Sequence, residues 1–93
     1  MIDPKSRVTV SSSVYLREFG EELVLLDFGK GEYYALDAIG AAILRKLEAG
    51  ADVADVAAYL VREYDVASDV ALADVAALVD EMKGQGLIEV FSP

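Results

Sequence analysis

Leu23-Val24-Leu25-Leu26-Asp27-Phe28-Gly29-Lys30-Gly31-Glu32-Tyr33-Tyr34-Ala35-Leu36-Asp37 is the stretch that decides the fold. Leu23 to Phe28 is a short apolar run rich in strand-forming residues, and Glu32 to Leu36 is a second one. Glycine on both sides of Lys30 supplies the positive φ values that a tight reversal needs, so the two runs form an antiparallel pair. Upstream, Val14 to Phe19 has the same texture, and Gly20-Glu21-Glu22 separates it from Leu23 as a further turn. Three strands in succession make a meander, and a meander leaves open edges.

Downstream the period changes. Asp37 follows the third strand directly and reads as the N-cap of a helix. From Ala38 to Ala49, Ile39, Ile43 and Leu47 fall on one stripe with Leu44 beside it. Arg45 and Lys46 lie late in that helix, where cations suit the dipole, and Gly50 stops it. Asp52 caps a second helix with Asp55 at its third position, and Val53, Val56, Ala57, Leu60 and Tyr64 are its expected buried face. Ser68-Asp69 begins a third helix, in which Leu72, Val75, Leu78, Val79 and Met82 keep helical spacing until Gly84 and Gly86 end it. Leu87 to Phe91 is either a last short strand or an extended packing segment.

Strands first and helices after predict an α+β fold: a winged-helix-like domain with a three-stranded antiparallel sheet followed by a three-helix bundle. The second and third helices, joined by a short loop, resemble a helix-turn-helix pair. Residues 1–13, ending in three serines, are expected to be a flexible lead-in, with the domain proper spanning 14–93.

The chain has 93 residues, enough for one domain, and 55% of them are hydrophobic, which argues against disorder. With no cysteine and no histidine, it lacks disulfides, thiolate metal sites, the common nucleophile–base pairs and the usual proton shuttle near neutral pH. Eight basic residues against seventeen acidic leave a formal net charge of -9. That field repels phosphate backbones and anionic lipid, although the same charge also serves plain solubility. The N-terminus lacks the pattern of a secretory signal, and no apolar run reaches the roughly 20 residues that span a bilayer. The expectation is a soluble cytoplasmic protein that is not an enzyme and uses no cofactor and no metal.

An ordered series of residues carries a more specific message. Leu25-Leu26-Asp27, Gly31, Tyr33, Leu36-Asp37, Gly40, Ile43-Leu44, Leu47 and Gly50 are followed by Val53, Val56, Leu60 and Tyr64. The series closes with Asp74-Val75, Leu78, Met82 and Gly86-Leu87-Ile88-Glu89. Leu23 to Glu89 thereby resembles the PqqD-like family of recognition elements for ribosomally made, post-translationally modified peptides. The glycine–tyrosine strand before Leu36-Asp37 looks most like the stand-alone leader-binding proteins of lasso-peptide biosynthesis. Members acting in pyrroloquinoline quinone synthesis often carry Leu-Asn at this point, and Asp caps a helix about as well as Asn.

The resemblance implies a precursor leader peptide as partner, bound as an antiparallel strand beside Glu32–Leu36 and walled by the third helix. It also implies a separate leader peptidase, a cysteine protease, with a cyclase as a further partner, and neither nucleic acid nor membrane. The candidate peptide-binding residues are Glu32, Tyr33, Tyr34, Ala35 and Leu36 on the strand and Asp74, Val75, Leu78, Val79 and Met82 on the helix. Strand alternation puts Leu36, Tyr34 and Glu32 on one side and Tyr33 and Ala35 on the other. Asp74, Asp80 and Glu81 are expected to add negative charge near the groove.

Each feature also has a plainer reading. The helix apolars serve as core, the tyrosine rings cover the sheet, and the carboxylates form a solvated face. Two rivals differ in class. A winged-helix DNA binder shares the outline, but the third helix sets Asp69, Asp74, Asp80 and Glu81 against Lys83, and DNA affinity depends on neutralising phosphates. An adaptor for a folded protein would be indifferent to an extended leader.

Overall fold

In the computed structural model, the described residues, 2–93, form five strands and three helices. In chain order these are β1 (Arg7–Val10), β2 (Val14–Phe19), β3 (Glu22–Asp27), β4 (Glu32–Leu36), α1 (Ala38–Glu48), α2 (Val53–Glu63), α3 (Ser68–Gly84) and β5 (Ile88–Phe91). The expected α+β class holds, but the strands divide into two antiparallel sheets, β2-β3-β4 and β1-β5.

The meander forms as its alternation requires. Leu23 pairs with Leu36 and Leu25 with Tyr34, so the inner face of β3 and β4 lies against the helices. The first turn is tighter than expected: Phe19 pairs with Glu22, leaving only Gly20 and Glu21 between the strands. At the second turn the Asp27 carboxylate accepts from the Gly29 and Lys30 amides at 3.0 and 3.2 Å. Of the two glycines flanking Lys30, only Gly31 has a positive φ (67°); the side-chain bonds from Asp27 shape the rest.

Caps set the helix starts. The Asp37 carboxylate accepts from the Gly40 amide at 2.8 Å, which starts α1 one residue after β4 ends. Asp52 and Asp55 close a reciprocal capping box on α2. The α3 N-cap is Ala67, which has no side-chain capping bond. A single core joins the layers, in which Leu25, Leu44, Leu47, Val53, Val56, Val75, Val79 and Met82 are all fully buried.

Three sequence expectations need correction. The stretch 1–13, expected to be a flexible lead-in, contains β1, which pairs with β5 from Arg7↔Phe91 to Val10↔Ile88. Its backbone also serves α2, since Ser6 O accepts from the Val53 amide and Pro4 O from the Ala54 amide at 3.1 and 2.8 Å. The strand is four residues long with one buried side chain, Val8, and its partner lies some eighty residues away, so no local pattern marks it. Secondly, Ile39 leaves the α1 stripe and is 45% exposed, although Gly40 and Ala41 in the same first turn are buried. Thirdly, Tyr64 is 39% exposed. It lies just past α2 with an extended backbone (φ -130°, ψ 151°), where helical spacing no longer sets direction.

Candidate functional site

In the order β2-β3-β4, the outer edge of β4 has no strand partner among the described residues. Its backbone N–H and C=O groups are therefore free to pair with an added strand. Beside that edge runs an open cleft of about 350 Å³. Tyr34, Ala35, Leu36 and Asp37 line it from the strand side, Ile39, Gly40 and Ile43 from α1, and Asp74 and Leu78 from α3. The strand alternates as expected: Leu36 is buried and Tyr34 half-buried, while Tyr33 is 73% exposed.

The two walls are held by specific contacts. The Lys30 ammonium donates to Gln85 O at 2.9 Å, tying the β3–β4 turn to the C-terminal end of α3, where a cation is favourable. At the other end α1 approaches β4 very closely. A Cβ on Gly40 would sit 3.1 Å from Leu36 Cδ2, so a larger residue there would press the Leu36 side chain aside by a few tenths of an ångström.

The comparisons with known proteins fit this geometry. The family described as "Coenzyme PQQ synthesis protein D (PqqD)" matches residues 22–88, well over half of the chain. The chain belongs to the PqqD family. Among solved structures, this PqqD-family chain is similar to "Lasso peptide synthetase B1 complexed with the leader peptide", with a TM-score of 0.85 and 34% identity over 89% of this chain and 98% of that one. It is also similar to "TbiB1 in Complex with the TbiA(beta) Leader Peptide", with a TM-score of 0.84 and 26% identity over 91% and 99% of the two chains. Among curated proteins no significant match is found.

Within this PqqD-family chain the residues expected at the site divide into three groups. Tyr34, Ala35, Leu36, Asp74 and Leu78 come together along the cleft. Glu32 and Tyr33 lie outside it and border a separate depression of about 230 Å³, with Leu26, Phe28 and Gly31. Val75, Val79 and Met82 have no exposed surface and are core residues beneath the cleft, which is the plainer of the two readings of their spacing.

Sequence reasoning missed the α1 wall. Asp37 was legible only as a cap, Gly40 and Ile43 only as helix residues, and Ile39 only as core. The available signal was the missing loop between β4 and α1: a helix beginning one residue past a strand must flank the end of that strand.

Charge on the α3 side also differs in detail. At about 100° per residue, Asp74, Leu78 and Glu81 share a stripe, whereas Asp80 stands on nearly the opposite side of the helix from Leu78. Burial pushes the Tyr34 phenol above its ordinary value, and the neighbouring Glu81 carboxylate, by hydrogen bonding and charge, pushes it further. Tyr34 therefore keeps its proton throughout the neutral range. The cleft offers an apolar floor, carboxylates at its margins, and a strand edge.

Proposed function

We propose that this chain captures the leader segment of a ribosomally made precursor peptide and presents it to a separate leader peptidase. The leader adds to β4 as an antiparallel strand, with alternate side chains entering the cleft between β4, α1 and α3. The observation that carries this reading is the unpaired edge of β4 beside an apolar cleft. Support comes from the two similar structures, both complexes with leader peptides.

Main-chain pairing contributes about 1 kcal/mol net per hydrogen bond and carries little sequence information, so selectivity falls to the side chains in the cleft. Each apolar anchor adds roughly 1.5–3 kcal/mol. The protein acts by binding and catalyses nothing itself; it works in the cytoplasm beside the peptidase, a cysteine protease, and a cyclase. We read the fold as winged-helix-like, with α3 in the position of a recognition helix but carrying an acidic face suited to peptides and unsuited to DNA. The family's own description favours one second reading, carriage of the precursor peptide of pyrroloquinoline quinone synthesis. The site would be the same and the cargo different.

The test titrates synthetic leaders, from the precursor encoded nearest to this chain and from a quinone-cofactor precursor, with anisotropy as readout. One-to-one binding of the former is expected, and binding of the latter alone would assign the protein to the quinone pathway. Silence with both would end the leader reading. Proline placed at successive leader positions should weaken binding wherever it removes a ladder donor, which also maps the paired segment. Leu78→Asp, at a half-buried position, should weaken binding tenfold or more, at an apolar-anchor cost of about 1.5 kcal/mol or above. A folded Leu78→Asp protein that binds normally would remove Leu78 from the cleft.

A further inference from the structure

The outer side of α3 departs from the pattern of a surface helix. A helix that packs on one side ordinarily turns polar residues to the other. At about 100° per residue, Asp69, Ala73, Ala76 and Asp80 stand roughly opposite Leu78, on the side turned away from the β4 cleft. From Asp69 to Ala77 that side is apolar except for Asp69 itself: Leu72 and Ala76 are half-buried, and Ala73 is exposed.

Two apolar hollows open along this side. One, of about 210 Å³, lies between α2 and α3, with Ala54, Ala58 and Val61 on one wall and Ser68 and Leu72 on the other. The second, of about 320 Å³, lies between α3 and the N-terminal segment, where Ile2 and Pro4 face Asp69, Ala73 and Ala76. Leu72 lines both, and the Ala54 amide donates to Pro4 O at 2.8 Å, so the two hollows form one groove. None of its residues lines the β4 cleft.

From these observations we infer that the groove docks an amphipathic helix of a separate protein, which sets two apolar side chains into the hollows and carries lysine or arginine on its flanks. A helix is the fitting guest because the groove walls offer no strand edge. Main-chain groups within α2 and α3 are bonded internally, which leaves side-chain anchoring as the means of contact. Spacing agrees. Ser68 to Ala76 spans about 12 Å of α3, and side chains four to seven apart on a guest helix stand about 6–10 Å apart. Both hollows exceed the roughly 150 Å³ that takes up benzene, so each has room for a leucine.

Charge selects among guests. Asp69 is the one charged residue lining either hollow among the described residues, Asp80 continues its stripe, and the chain carries -9 overall. A second copy of the chain would bring like charges together, and anionic lipid would be repelled. A basic helix is attracted. The groove lies across α3 from the cleft, so a leader and the helix can be held at once, and the inference stands whichever leader is bound.

The test titrates labelled synthetic helical peptides into the full chain, with anisotropy as readout. One peptide carries leucine at i, i+4 and i+7 with lysine on both flanks, and its twin carries glutamate in place of lysine. Saturable one-to-one binding of the lysine peptide is expected, at least about tenfold tighter than that of the twin. Ala73→Arg, at an exposed position where arginine suits a helix, should weaken it about tenfold or more and leave leader binding unchanged. Adding the neighbouring precursor's synthetic leader should not release the helical peptide.

No saturable binding, equal binding of the twin, or undiminished binding to Ala73→Arg would overturn the inference and leave strand capture standing. Release of the peptide by the leader would place it in the β4 cleft and also overturn it. So would light scattering that shows a dimer which Ala73→Arg dissociates, since a second copy would then fill the groove. Should Ala73→Arg not fold, Ala58→Arg, exposed on the α2 wall, replaces it with the same outcomes.

Discussion

Tyr34 stands opposite Leu25 on the inner side of β4, and its raised phenol value gives the cleft a measurable pH signature. Below the ordinary tyrosine value of 10.0 both folded and unfolded chains keep the proton, and the contribution of the group to stability is whole. As pH rises above that point, the unfolded chain releases its proton while the folded chain still holds it. Stability therefore falls between 10.0 and the raised value. Urea titrations of the unaltered protein and Tyr34→Phe at pH 9 and about pH 11 should show a shallower alkaline decline for the phenylalanine variant. Parallel declines would mean that Tyr34 does not meet Glu81 as described. The inward direction of Tyr34 was legible from alternation alone, because Leu36 has to face the core. Its partner Glu81 was legible only as one acid among several on α3, since which helix stripe faces β4 is a tertiary fact.

Elements differ sharply in how much of them the sequence discloses. The β2-β3-β4 meander and the three helices were readable because their signals are local: a Gly-Glu turn, Asp27 ahead of a glycine-rich reversal, and the caps Asp37 and Asp52. The β1-β5 ladder was not, because Val8 and Ile88 acquire meaning only when the two ends of the chain meet. Burial shows how much that meeting contributes. Val8 is 5% exposed and Ile2 9%, and each such side chain is worth roughly 1.5–3 kcal/mol. Removing residues 2–10 also strips the acceptors from the Val53 and Ala54 amides at the start of α2 and uncovers Ile88. The truncated chain should lose at least about 3 kcal/mol, seen as a lower urea midpoint. A midpoint equal to that of the full chain would show that the N-terminal strand adds no stability. The cleft is made of the other sheet, so a truncated protein that remains folded should still bind the leader.

The molecule as a whole carries a net charge of -9, and part of that charge surrounds the site: Asp74 and Leu78 share the cleft wall, with Glu81 one turn further along α3. Composition alone made the acidic balance plain but could not distribute it, because the same carboxylates suit a merely soluble surface. The fold turns Asp80 away and keeps Asp74 at the cleft, so the field near β4 is set by few groups. A leader bearing lysine or arginine should be drawn in by them, mainly through faster association. Charges at the cleft margin are solvated, and the Debye length shrinks from ~10 Å at 0.1 M salt to ~3 Å at 1 M. Raising sodium chloride from about 50 to about 500 mM should therefore weaken binding of a basic leader severalfold, with the change in the association rate. A leader whose basic residues are replaced by glutamine should respond little, because strand pairing and apolar anchors are not screened. Equal salt dependence of the two leaders would remove electrostatic steering from the mechanism and leave recognition to shape and burial alone.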